Sequence, residues 1–267
     1  MKVRKLRDWR LSASSALLCT LAFNVTFFLQ ELFLVIPKAL VPGLHPTLFH
    51  NNHTWTGHDP VAGLLQGTGA LADLASGLIF AALLARSENR PLTLRLTVFW
   101  MAYQGFFLAL PQFVIGAINP ANDVGMAMAY LGLFSATKHA AALVAIIAMA
   151  MLGFWLARQF VRLIGTSAET ATDAARLAFV FRGATLPALV SVLLLIPFRE
   201  PRDRVEVLLL PLIVMTSGML WVQIGAWFTR PAAETERPAP ALAIPFAALL
   251  IVLAIFQLVL RPGIRFY

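Results

Sequence analysis

Seven apolar stretches, each long enough to cross a bilayer, occupy most of this chain and constrain its fold more than any motif does. They fall at about 11–36, 61–85, 92–116, 137–160, 175–197, 205–228 and 240–260, each near the ~20 residues that a bilayer core requires. A water-soluble domain would have to leave much of that surface wet. The expected fold is therefore all-α: a polytopic transmembrane helix bundle of about seven spans plus one interfacial or re-entrant helix, forming a single integral-membrane domain over residues 1–267.

Only 13% of the residues are charged, against roughly 25% in average soluble proteins. The formal charge is nonetheless +8. The Lys and Arg residues sit mostly in short segments between apolar runs, the pattern of topology signals and anionic-lipid contacts. No soluble basic domain is present to engage nucleic acid, so the lipid bilayer is the expected partner. Cys19 is the sole cysteine and reads as a buried apolar thiol. The basic N-terminus resembles a signal-peptide n-region. The apolar run behind it continues to about Ile36, past the usual ~7–15 residues, which marks an uncleaved first span.

Several connections carry local signals. Pro37 and Pro42 are expected to end the first span. As one helix, residues 123–164 would run about 63 Å, against a hydrocarbon core of ~30 Å. Gly132 and Ser135-Ala-Thr137 offer the break. Residues 123–134 then form the interfacial or re-entrant helix, and a span follows from Thr137. Thr166-Ser-Ala-Glu169 has capping-box spacing, and Asp173 and Arg176 can pair one turn apart. Pro187 predicts a kink in the fifth span, while Arg95 and Arg182 lie where they can snorkel to headgroups.

The segments around 2–10, 86–95, 158–176 and 230–237 hold more Lys and Arg than those on the other side. This bias predicts a cytoplasmic N-terminus and a non-cytoplasmic 37–60 loop. Arg199, Arg202 and Arg204 depart from it, partly offset by Glu200 and Asp203. With this topology His45, His50, His53, His58 and His139 all fall on the outer side, as do Asn51, Asn52, Asp59, Asn119, Asn122, Asp123 and Lys138. Glu31 lies near the outer end of the first span. Gln66 enters the second from the same side, and Asp73, seven residues on, shares its helix face.

Ionisable groups inside a membrane are costly and face a bundle interior or a cavity. Glu31 and Asp73 are therefore the candidate catalytic residues, with a hydrogen-bonded structural role as the alternative. Imidazole binds zinc and other transition metals, and a carboxylate can orient it or add a ligand. His50, His53 and His58 are the candidate metal ligands, weighed against a self-solvating loop that bonds its own backbone. The chain has no H-E-x-x-H, no G-x-x-x-x-G-K-[ST] and no cysteine-based metal spacing. Leu74-Ala-Ser76-Gly77 echoes an intramembrane serine-protease motif without its leading glycine. Ser76 lies too deep to meet His139. Gly63, Gly67, Ala70 and Gly77 suit close helix packing.

Three functional readings follow. The first is a membrane enzyme or small-ligand-binding protein with an outward-facing His/Asn/carboxylate pocket, with zinc or another transition metal as the candidate cofactor. The second is a small-solute transporter. The third is a non-catalytic membrane subunit or assembly factor whose polar loop docks a partner subunit. The topology they share has a direct test. In a Cys19-free background in intact cells, a cysteine at residue 56 should react with a membrane-impermeant reagent and one at residue 87 should not. The reverse pattern would overturn both the orientation and the one-sided placement of the histidines.

Overall fold

The computed structural model describes residues 2–199, 205–232 and 239–267. Seven of its helices are long and apolar enough to cross a membrane: Trp9–Ala39, Val61–Ala85, Leu92–Ile118, Ser135–Ile164, Asp173–Arg199, Val207–Trp227 and Ala243–Leu260. The chain is an all-α, multi-pass membrane protein. The first span belongs to α1 (Lys2–Ala39). The second combines α2 (Val61–Leu65) and α3 (Gly67–Ala85), and the third is α4 (Leu92–Ile118). The short α5 (Asp123–Tyr130) precedes the fourth span, α6 (Ser135–Ile164). After α7 (Ser167–Thr170) come the fifth span, from α8 (Asp173–Val180) into α9 (Leu186–Leu195), the sixth, α10 (Leu210–Trp227), and the seventh, α11 (Ala243–Ile255).

Helix α4 is the axis. Trp100, Tyr103, Phe99, Phe106 and Phe107 are buried along it, and it touches α1, α3, α5, α6 and α10. A helix apolar on every face belongs in such a centre. Its Tyr103 hydroxyl donates to the Val214 carbonyl at 2.9 Å, so this buried polar tip has a partner. The glycines of α3 work as their spacing predicts. A side chain on Gly105 would meet the backbone nitrogen of Gly77 at 2.4 Å. The two helices approach that closely only without Cβ atoms.

Proline explains two of the side-chain contacts between spans. An internal proline lacks an N–H and frees the carbonyl four residues before it. Pro37 does not end α1, which runs on to Ala39; the freed carbonyl of Phe33 accepts from the Thr68 hydroxyl at 2.6 Å. Pro187 follows a single wide turn at Phe181–Thr185. Its freed Gly183 carbonyl accepts from Ser15 at 2.6 Å, and Ser15 in turn accepts from the Trp100 indole at 2.9 Å. Hydroxyls of neighbouring helices thus replace the missing amides.

A separate short helix, α5 (Asp123–Tyr130), forms within residues 123–134. Asn122 caps it by accepting from the Val124 amide. Gly132, at φ +62°, ends it with bonds from Gly132 N to Ala129 O and from Leu133 N to Met128 O. That pair is a Schellman termination, for which a left-handed glycine is suited. Thr166 donates to the Glu169 carboxylate, and Asp173 pairs with Arg176. Arg95 does not snorkel. It donates to the Leu163 carbonyl at 2.8 Å and to the carbonyl of Glu88. Arg199 is buried against the rings of Phe27 and Phe23, at 4.0 and 5.0 Å. It is a packing cation and not a free loop charge; residues 200–204 lie outside the described residues.

The 37–60 connection is not an open loop. It forms a hairpin of β1 (His45–Leu48) and β2 (His53–Thr56). The chain's end returns to it as β3 (Ile264–Arg265), which pairs antiparallel with β1 through Thr47↔Arg265 and Leu48↔Ile264. Before the last helix, Ala241 is held by Ser14 and Thr93 at the other end of the bundle. The seventh helix therefore runs the full height of the bundle.

Two contrasting substitutions test the packing. Gly105→Ala strikes backbone, which no side-chain rotation relieves, and should cost about 1–3 kcal/mol or more. Gly63→Ala finds its nearest atom at 3.7 Å and should be neutral. Thermal unfolding in detergent should show a drop in Tm for the first variant alone. For the labelling test above, Ser87 is buried, so the exposed Asn89 is the better reporter on that side.

Candidate functional site

The hairpin carries one of its residues into the bundle. Side chains alternate along a strand, so His53 and Trp55 share a face of β2; their rings stack at 5.6 Å. His53 Nδ1 lies 2.6 Å from Glu31 Oε2, and both side chains are almost fully buried. Two turns further along α1, on the same face, Lys38 donates to the Leu34 carbonyl at 2.9 Å and to Gln66 Oε1 at 2.7 Å. Its ammonium also sits 4.7 Å from the Trp55 ring centroid, in cation–π range. Gln66 stands at the α2–α3 junction, where its Oε1 is 3.1 Å from His53 Nε2. Lys38 Nζ is 3.4 Å from that same nitrogen.

Glu31, Gln66 and Lys38 thus surround both ring nitrogens of His53.

Below the hairpin a cavity of about 490 Å³ opens between α1, α4, α5 and the start of α10. Glu31, His53 and Asp123 line its polar end, with amides from Gln30, Gln112 and Asn122. Gln112 donates to Gln30 at 3.2 Å, joining α4 to α1. The remaining wall is apolar, with Phe27, Phe107, Pro111 and Ile213. Asp123, the first residue of α5, has its carboxyl pushed up to about 6. Burial is the main cause and the Glu31 charge the second; His53 and Lys38 act in the opposite direction.

The candidate residues separate. Glu31 and His53 meet. Asp73 is fully buried in α3 and neither of its oxygens has a hydrogen-bond partner. Gln66 lies on the same helix face about 10 Å of rise away, and Asp73 is not among the residues that line the cavity. His50 is buried on the other side of the hairpin, its ring 5.7 Å from that of Phe256. His58 is exposed beyond Gly57. His50, His53 and His58 are thus not brought together, because β1–β2 pairing points them in different directions. Among the described residues no group of three or more His, Cys, Asp or Glu is disposed to hold a metal ion.

Lys38 and Asp123 complete the site and were not singled out by sequence reasoning. A signal for Lys38 existed: it lies seven residues from Glu31, on the same helix face. For Asp123 the signal was only its place among the outer-side polar residues, since its approach depends on how α5 folds back against α4. No family model, curated protein or solved structure matches this chain.

The link between the two carboxylates is measurable. Glu31→Gln removes a like charge and should lower the Asp123 pKa from about 6. Lys38→Met removes an opposing positive charge and should raise it. Carboxyl titration by NMR with labelled aspartate, using Asp123→Asn for assignment, would read both. An Asp123 that titrates identically in all three proteins would show that the groups do not share a field.

Proposed function

We propose that this chain is a ligand-binding membrane protein. Its occupant is a small amphipathic molecule with a cationic, hydrogen-bond-donating head, held between Glu31 and Asp123. The observation that carries the reading is the form of the cavity. Its size suits a small ligand, most of its wall is apolar, and its polar groups converge at one end, the usual make-up of a ligand site. Charge bookkeeping supplies the sign of the head. Above about pH 6 Asp123 is ionised. With His53 neutral, the carboxylates of Glu31 and Asp123 then face the single ammonium of Lys38. One negative charge is left over in a poorly solvated space, and a monocation neutralises it. Protonation of His53 or Asp123 does the same, so a proton and the cationic head compete. The charge bias of the connections supports a cavity mouth on the non-cytoplasmic side.

A second reading, transport, has one observation in its favour. Asp73 and Ser76, one turn apart in α3, are both buried without side-chain partners. A carboxylate kept without partners deep in a span is a candidate proton or cation station. Asp73→Asn separates the readings. It should leave ligand binding unchanged and abolish counterflow in proteoliposomes if the chain transports; wild-type counterflow in that variant would reduce Asp73 to a packing role.

Binding itself can be probed with benzylammonium and its neutral analogue benzyl alcohol, followed by calorimetry on the purified full chain. Benzylammonium should bind the more tightly. Its affinity should rise as pH increases from 5 to 7 through the Asp123 transition, at about 6, because the ionised carboxylate is the better partner. Glu31→Gln should weaken it by at least about tenfold, the loss of roughly one charge-assisted hydrogen bond. Equal affinity for both probes, or no pH dependence, would rule out a cation-selective cavity.

A further inference from the structure

A second cavity lies at the opposite end of the bundle from the hairpin and plays no part in the reading above. It encloses about 620 Å³ between the last turns of α6 and the segment after α10. Its rim carries Arg158, Arg162 and Arg230, and among the described residues no carboxylate lines it. Arg162 is paired with Glu88; Arg158 and Arg230 have no acidic partner among the described residues. On its floor Gln159 is 9% exposed and its side-chain oxygen has no hydrogen-bond partner. An amide's oxygen and nitrogen exchange places by a half-turn, so this group can offer an N–H into the cavity.

A second feature turns a basic patch into a built site. Phe228 lines this cavity and also an adjoining apolar groove of about 370 Å³, formed with Leu177, Ile224 and Trp227. Ile224, Trp227 and Phe228 are exposed on the outside of the bundle, where lipid tails lie. A chamber of guanidinium groups thus opens beside a trough for hydrocarbon. The tryptophans Trp155 and Trp227 flank the junction, at the level such side chains prefer. Topology signals alone would put arginines at this end, but they need neither a concave chamber nor a shared apolar wall.

We infer that this cavity binds the phosphate of an anionic phospholipid, with one acyl chain along Phe228 and Trp227. Guanidinium presents a planar fork of donors that matches phosphate oxygens. Arg158 and Arg230 bring two such forks to one chamber, and Gln159 can add a third contact from below. Basic pockets between spans are suited to this class of headgroup.

Native mass spectrometry of the full chain in a neutral detergent provides the test. The probes are phosphatidylglycerol, phosphatidylcholine and inorganic phosphate, each added separately. One phosphatidylglycerol per chain should be retained, in preference to phosphatidylcholine. Arg158→Gln/Arg230→Gln should reduce that retention by at least about tenfold, the loss of roughly one charged contact. Arg86→Gln/Arg90→Gln, matched in charge on the exposed connection at the same end, should leave it unchanged. Equal retention of the two lipids by wild-type protein would overturn the assignment, and this arm needs no variant to fold. An equal loss in both arginine pairs would also overturn it, since diffuse charge would then be enough. Saturation by inorganic phosphate without lipid retention would transfer the site to a free anion and remove the phospholipid.

Discussion

A backbone inside a bilayer has no water to fall back on, and this constraint organises the bundle. Each internal proline frees a carbonyl, which the rest of the protein must satisfy or leave at a cost of several kcal/mol. Phe33 and Gly183 receive theirs from hydroxyls of Thr68 and Ser15 on other helices. The contacts that mend the backbone are therefore contacts between spans. Ser15 also accepts from Trp100, so one hydroxyl ties α1 to the fifth span and to the central helix together. The same rule bears on the cavity. Pro111 frees the carbonyl of Phe107, and both residues lie on the cavity wall. A backbone acceptor is thereby made available beside the apolar part of the site.

Much of the fold was legible because its signals are local. Seven apolar runs gave seven spans, displaced by a few residues at their ends. The break after Tyr130 could be read from a length argument and from Gly132, and the φ of that glycine is the reason the helix stops there. The sheet was not legible. β1 and β2 are four residues each and β3 is two. The β1–β3 pairing joins residues more than two hundred positions apart, and no local pattern can announce it. The Pro37 signal was read correctly as chemistry and wrongly as a stop. The helix outlasts its proline because a threonine from the next span supplies the missing donor.

The site divides along the same line. Glu31 stood out as an acid in an apolar run, and the loop histidines stood out by composition. Composition does not say which histidine turns inward. Alternation along β2 selects His53 and Trp55, while His58 lies past the strand and stays wet. Lys38 sits at the end of a span, where a lysine ordinarily reaches for headgroups. Here Gln66, the Leu34 carbonyl and the face of Trp55 together replace its water. The helix presents Glu31 and Lys38 on one face, and the hairpin places an imidazole near both.

His53 also belongs to the least autonomous part of the molecule. A two-stranded ribbon is marginal in isolation. This one gains a third strand from the chain's end, with Phe266 N bonding Pro46 O and His45 packing edge-on against Tyr267. Across the hairpin, His50 lies against Phe256 of the last span. The seventh helix, although it lies away from the cavity, therefore sets the position of the imidazole inside it through β3 and Phe256. The imidazole's end of the site thus rests on contacts at the bundle's rim, while the cavity's apolar wall belongs to the packed centre around α4.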